Sequence, residues 1–204
     1  MTTAQDLAIV ALHVTPELPV EQGDLSLALA GAEVLDLAEA DALTVEGDRI
    51  VPGAQAPTGH RLLEEAAGAV LRQEPYEPLT EWLWRRGRGL SAAYTEELER
   101  AGLTARPQGR HSPLRSRRNE RAELVDSEAR RRAEDRWATG EPVLAALASA
   151  AGFRDEPAED TQELADDAVA AVLAAVGDAV QELQAVRQRK AIEDAAFDNV
   201  WRGY

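Results

Sequence analysis

The 204-residue chain contains no cysteine, which removes disulfides, thiolate metal sites and cysteine nucleophiles together. Aromatic residues are scarce at 4%, so a core has to be built mainly from Ala, Leu and Val. That composition favours closely packed helices over a β-sandwich. Lysine is nearly missing: 21 of the 22 cationic residues are arginine, and Lys190 is the exception. The bias points to a GC-rich bacterial genome and not to a chemistry. Residues 1–48 hold ten Asp or Glu and no Lys or Arg, so the cationic start of a secretory signal is lacking. The longest uninterrupted apolar run, Ala168 to Val176, is nine residues, whereas a spanning helix needs about 20. The expected location is the cytoplasm, with any membrane association peripheral and at its inner face.

Enzymatic signatures are also missing. His13, His60 and His111 lie far apart, and neither a His-Glu-x-x-His nor a Gly-x-Ser-x-Gly motif occurs. There is no phosphate-binding Gly-x-x-x-x-Gly-Lys loop and no Gly-x-Gly-x-x-Gly after a strand. The pairs Glu64-Glu65 and Asp166-Asp167 are adjacent on predicted helices. Neighbouring helical residues diverge by about 100°, so neither pair converges on one atom, and a solvated helix face accounts for both. No enzyme, cofactor or metal site is expected.

What is present is a large apolar fraction, 45%, and a strongly uneven charge. The net charge is −15, yet residues 85–136 carry 14 cations against nine acids, a net of +5 that leaves −20 elsewhere. The acidic average argues against a nucleic-acid partner, whose phosphates need a basic surface. The predicted helix and hairpin at 24–51 superficially resemble a winged helix, but Glu33, Asp36, Glu39 and Asp41 would be repelled by phosphate.

The periodicity predicts a short helix or strand over 4–13, then a loop, then a helix from an Asp24 N-cap to about Asp41. In that helix Leu25, Ala28, Leu29, Ala32, Leu35 and Ala38 share one face, with Glu33, Asp36 and Glu39 opposite. Gly31 in mid-helix costs roughly 1 kcal/mol against Ala, which suggests the close approach of another helix. Leu43 to Val51 reads as a hairpin around Gly47-Asp48. Helices are then expected over 62–72, around Trp82 and Trp84, over 90–101 before Gly102, over 126–137, and from Pro142 to Gly152. Of the two tryptophans, one is expected in the core and the other as a candidate interfacial anchor. The longest helix is expected from Thr161 to Arg189, with its apolar run Ala168–Val176 at the centre of the bundle. Residues 103–121 hold six arginines, two prolines and one glycine, and read as a distorted hairpin or open loop. The fold class is therefore mainly α: a single-domain helical bundle over 1–204 around a central apolar helix, with one or two short β-hairpins.

The most distinctive stretch is Gly23 to Val51, in which Leu25, Leu29, Ala30 and Gly31 lead to Leu35, Leu37 and Ala38 and then to the hairpin. Pro57-Thr58-Gly59 precedes a Leu-rich helix, and Trp82 lies in the next. Leu98 to Leu103 and then Arg132 to Trp137 follow, the latter before a small-residue helix. In this order the chain resembles the Golgi phosphoprotein 3 family over most of its length. The resemblance implies a helical domain of the kind already described. Eukaryotic members are cytosolic peripheral membrane proteins that bind phosphatidylinositol 4-phosphate in a shallow basic pocket, insert an apolar hairpin tip and serve as adaptors for the tails of Golgi enzymes. A bacterial chain has no Golgi, so the adaptor role does not carry over.

Position by position the implied pocket is thin. The family's first-helix arginine corresponds to Ala30, its aromatic falls near Glu21, and its two later arginines correspond to Arg88 and Ser91. The hairpin after Leu103 carries Arg, Pro and Gly in place of an apolar tip. What remains is a basic set. Arg88, Arg85, Arg86, Arg115, Arg117 and Arg118 are the candidate anion-binding residues, with Arg106, Arg110 and Arg121 nearby in sequence. Near an anionic surface each contributes about 1 kcal/mol, so six suffice to hold a protein there. The competing reading pairs these arginines with the abundant carboxylates. The expected partner is an anionic membrane lipid with a phosphoinositide-like headgroup. The alternative is a protein partner, bound by a module that does not bind lipid.

Overall fold

The computed structural model describes residues 2–13, 21–54, 57–105, 123–152 and 166–202. Among these, eight helices and two small hairpins follow one another. They are α1 (Thr3–His13), α2 (Gln22–Glu39), β1 (Leu43–Glu46), β2 (Arg49–Pro52), α3 (Arg61–Ala69), α4 (Leu79–Arg86) and α5 (Leu90–Arg100). After them come β3 (Thr104–Ala105), β4 (Glu123–Leu124), α6 (Glu128–Ala138), α7 (Pro142–Ala150) and α8 (Asp167–Arg202). The mainly helical class expected from composition is the one observed.

The centre of the bundle is α2, and α8 flanks it, contrary to the expectation from the apolar run at 168–176. Twelve of the 18 residues of α2 are buried, which no single stripe of a surface helix allows. Helices α1, α3, α4, α5, α7 and α8 all pack on it. Its small residues explain the crowding. A Cβ on Gly31 would lie 2.4 Å from Val176 Cγ2, and one on Gly23 would lie 2.8 Å from Leu183 Cδ2. The close approach expected at Gly31 is therefore that of α8. By length and composition alone α8 could cross a bilayer. Its inward stripe, Val172, Val176, Ala179 and Val180, is instead buried in the bundle, where α8 packs on α2, α4 and α7.

Burial of all sides of α2 carries acidic residues inward with it. Glu33 and Asp36, expected on a solvated face, are 0% and 7% exposed. Each survives burial because donors meet it. The Asp36 carboxylate accepts the backbone N–H groups of Thr3 at 2.7 Å and Ala4 at 2.9 Å, and so caps the N-terminus of α1. Burial nonetheless holds the Asp36 carboxyl above the usual carboxylate range. In α1 the buried Asp6 accepts from Arg132 at 2.6 Å and Arg136 at 2.7 Å, tying that helix to α6. Arg136 also donates to Glu141 at 2.8 Å, and the Glu141 carboxylate caps α7 through Val143 and Leu144 N–H. Asp24 does not cap α2. It lies inside the first turn and accepts from Arg187 of α8 at 2.7 Å.

The turn signals work where they are local. Gly47 at φ 63° joins β1 to β2, with Glu46 opposite Arg49 and Ile50 buried. Gly102 and Gly152, at φ 69° and 77°, end α5 and α7 as expected. Ser127, and not Asp126, caps α6 by accepting Arg130 N–H. Helix α3 stops at Ala69, short of Arg72, and the Ala69 carbonyl accepts from Arg85 Nη2 at 3.1 Å. β3 and β4 pair antiparallel, Thr104 opposite Leu124, so the two ends of the Arg-rich stretch meet. The stretch itself, 106–122, lies outside the described residues.

Candidate anion site at the Gly-Arg-Gly turn

Helices α4 and α5 are joined by Gly87-Arg88-Gly89. Gly87 donates its N–H to Leu83 O at 2.9 Å and lies against α2, where a Cβ would come 3.4 Å from Ser26 O. Gly89, at φ 72°, turns the chain into α5 in a conformation that glycine adopts without strain. Between the two glycines Arg88 is exposed on the rim of a depression of about 300 Å³. Gln22, Ser26, Trp84, Ser91 and Leu183 line it with Arg88. Its polar floor is already satisfied: Ser26 Oγ donates to Gln22 O at 2.7 Å and accepts Ser91 N–H at 3.0 Å.

The structure separates the three clustered arginines. Arg85 forks onto Glu77 with two hydrogen bonds of 2.7 Å and stacks over the Trp82 ring at 5.1 Å. The Glu77 hydrogen bond raises the Arg85 pKa further. Arg86 forks onto Glu33 at 2.7 and 2.9 Å and donates to Leu62 O at 3.0 Å. Tyr94 Oη completes that cluster by donating to Glu33 Oε1 at 3.1 Å. Burial pushes the Glu33 carboxyl up despite these donors, and it pushes the Tyr94 hydroxyl well up. Arg88 makes no hydrogen bond or ion pair with any described residue. It alone of the three is free to meet a ligand. Arg115, Arg117 and Arg118, with Arg106, Arg110 and Arg121, lie outside the described residues.

Of the four positions implied by resemblance, Arg88 and Ser91 share the depression. Ala30 is fully buried, and its carbonyl accepts Trp82 Nε1–H at 3.2 Å. That bond fixes Trp82 as the core tryptophan, while the half-buried Trp84 faces the depression. Glu21 is exposed beside Arg187 at 4.0 Å. On the far side of the Trp84–Arg88 ridge, Glu77, Glu81 and Glu182 line a more open hollow with Arg85. A phosphomonoester needs several convergent forked donors. This site offers one guanidinium among carboxylates. The Arg-rich stretch starts at the other end of α5, an 11-residue helix about 16 Å long.

Sequence reasoning missed the Glu33–Arg86–Tyr94 cluster and the Asp24–Arg187 pair. A signal was available in both: a carboxylate inside an otherwise apolar helix. Among the described residues no three His, Asp or Glu gather as metal ligands.

A mainly helical domain with a buried central helix, a hairpin directly after it and an arginine turn beside it defines the class. The Golgi phosphoprotein 3 (GPP34) family model matches residues 4–195, and the chain belongs to that family. No curated protein matches the sequence.

Proposed function

We propose that the chain is a non-catalytic module that meets an anionic lipid surface by charge, in the cytoplasm at the inner face of the membrane. Its phosphoinositide pocket is reduced to one guanidinium. The observation that carries this reading is Arg88, exposed between two glycines with no partner among the described residues, while both neighbouring arginines are held by carboxylates. Family membership supports the same reading. Arg115, Arg117 and Arg118 supply the remaining charge in a stretch whose ends β3 and β4 bring together. A surface association of this kind is weak and salt-sensitive, and it does not distinguish one anionic headgroup from another.

Co-sedimentation with vesicles of phosphatidylglycerol, cardiolipin or phosphatidylinositol 4-phosphate at low and moderate salt tests it. Binding to all three at low salt, weakening as salt rises, is expected. No binding at low salt overturns the reading. A second reading, a protein-binding module that does not bind lipid, is favoured by one observation: Glu81 and Glu182 line the hollow on one side of Arg88. Retention of a soluble partner by a chain that ignores all three vesicles selects it.

A further inference from the structure

Trp84 and Arg88 line a depression on either side of their ridge. The hollow away from Ser91 is the larger, about 720 Å³, which is the size of a small-ligand site. Helix α4 and the turn after it supply most of its lining, and Glu182 comes from α8, which packs on α4.

The ions of this hollow sort into a spent pair and an open set. Arg85 and Glu77 cancel, forked onto each other at 2.7 Å with Glu77 buried. Arg88, Glu81 and Glu182 remain. All three are exposed, and none makes a hydrogen bond or ion pair with a described residue. Glu81, Trp84 and Arg88 fall at i, i+3 and i+7. That spacing is why one hollow holds an acid, an aromatic ring and a cation together.

Such a set selects against the ligand of a basic pocket. A headgroup with several negative charges meets unpaired ions that sum to −1, and repulsion by Glu81 and Glu182 offsets what Arg88 supplies. A ligand with one charge of each sign meets the opposite situation. The guanidinium fork of Arg88 suits a phosphate. A tryptophan ring attracts an ammonium group, and carboxylates accept its N–H donors. A primary ammonium has three such donors, whereas a quaternary one has none to give.

We propose that this hollow binds a phosphodiester carrying a primary ammonium group, the chemistry of an ethanolamine headgroup, with the phosphate on Arg88 and the ammonium among Trp84, Glu81 and Glu182. The inference rests on the reading of the chain as a lipid-surface module, and it adds a headgroup of zero net charge that a diffuse cationic surface does not select.

Vesicles with a fixed share of phosphatidylglycerol, the remainder being either phosphatidylethanolamine or phosphatidylcholine, test it at moderate salt. The ethanolamine vesicles are expected to bind about five-fold more tightly, the scale of one added hydrogen bond to a charged group. E81Q/E182Q is expected to abolish that preference and at the same time to raise the affinity for phosphatidylglycerol alone, because two repelling acids are gone. Circular dichroism confirms that this variant keeps its helix content. A soluble probe takes the membrane out of the test. Glycerophosphoethanolamine is expected to shift the tryptophan fluorescence of the wild type saturably, and glycerophosphocholine is not.

A saturable response to the soluble diester without a vesicle preference supports the site and assigns it to a free compound of the same chemistry. Equal binding of the two vesicles with no response to the soluble diester overturns the proposal, as does a preference that survives E81Q/E182Q. If phosphatidylglycerol vesicles still bind at low salt in those cases, the charge-driven lipid reading stands without this site. A saturable soluble response from a chain that binds no vesicle does the reverse, removing that reading and keeping the site.

Discussion

Arg86 and Glu33 face each other across α4 and α2 in a forked pair at 2.7 and 2.9 Å, with the Glu33 side chain fully buried. Such a pair holds helices in place more than it adds stability, because desolvation of both ions offsets much of their attraction. Removing one partner is another matter, since it strands a buried charge.

Arg86→Ala is therefore expected to cost about 3 kcal/mol and to lower Tm by roughly 6–12 °C. Thermal unfolding followed by circular dichroism measures the loss. Replacing both partners with apolar residues of similar volume, E33L/R86M, is expected to recover most of it. A near-neutral R86A would mean that the Tyr94 hydroxyl alone satisfies Glu33, or that the Glu33 carboxyl takes up a proton.

The geometry at Gly31 makes a packing prediction. Gly31→Ala places a Cβ 2.4 Å from Val176 Cγ2, with Val172 Cγ1 at 3.5 Å and Leu147 Cδ2 at 3.8 Å. Overpacking of about 1–3 kcal/mol is expected, despite the better helix propensity of alanine. Urea unfolding should show a lowered midpoint for G31A. The companion change V176A should restore much of it by clearing the clash.

His60 sets one slope of stability with pH. Burial holds its pKa below 6.5, and its Nδ1 is buried without a hydrogen-bond partner among the described residues. The unfolded chain thus binds more protons than the native one as pH falls through that region, so this contribution is lost on acidification. Glu33 and Asp36 slope the other way. Their raised carboxyls take up protons more readily in the native state, so the cost of burying their charge is relieved as pH falls towards the ordinary carboxylate range. The difference between wild type and His60→Gln isolates the first effect. Their stability gap should change as the pH drops from 7 to 5, with the wild type losing more.

The three clustered arginines should separate in vesicle binding. Arg88→Ala is expected to weaken binding about five-fold at low salt, the equivalent of about 1 kcal/mol for one cation at an anionic surface. Removing the neutral pair as a whole, E77Q/R85A, is expected to leave vesicle affinity nearly unchanged, because Glu77 and Ala69 O already occupy that guanidinium. Equal losses for E77Q/R85A and R88A would mean that Arg85 leaves Glu77 when lipid is present.

Local chemistry was legible and long-range chemistry was not. Gly47, Gly102, Pro142 and Gly152 marked their boundaries because each acts on its own stretch of backbone. The family was legible from the order of motifs between Gly23 and Trp137, and the match over residues 4–195 agrees. Periodicity sent Glu33 and Asp36 to water because it counts apolar neighbours along one helix. Their donors come from elsewhere: Arg86 is 53 residues from Glu33, and Thr3 is 33 residues from Asp36. The same blindness made Arg85, Arg86 and Arg88 look equivalent. Only packing shows that two of the three are inward-facing fastenings.

The clearances at Gly23 and Gly31 have a mechanical result. With no Cβ at either position, α8 beds against α2 over two turns and is fastened again by Arg187 on Asp24. A helix gripped over that length cannot swivel about its root. The inner length of α8, from Val172 to Arg187, is therefore held in register against the core, and a side chain added at either glycine has to lift that whole length.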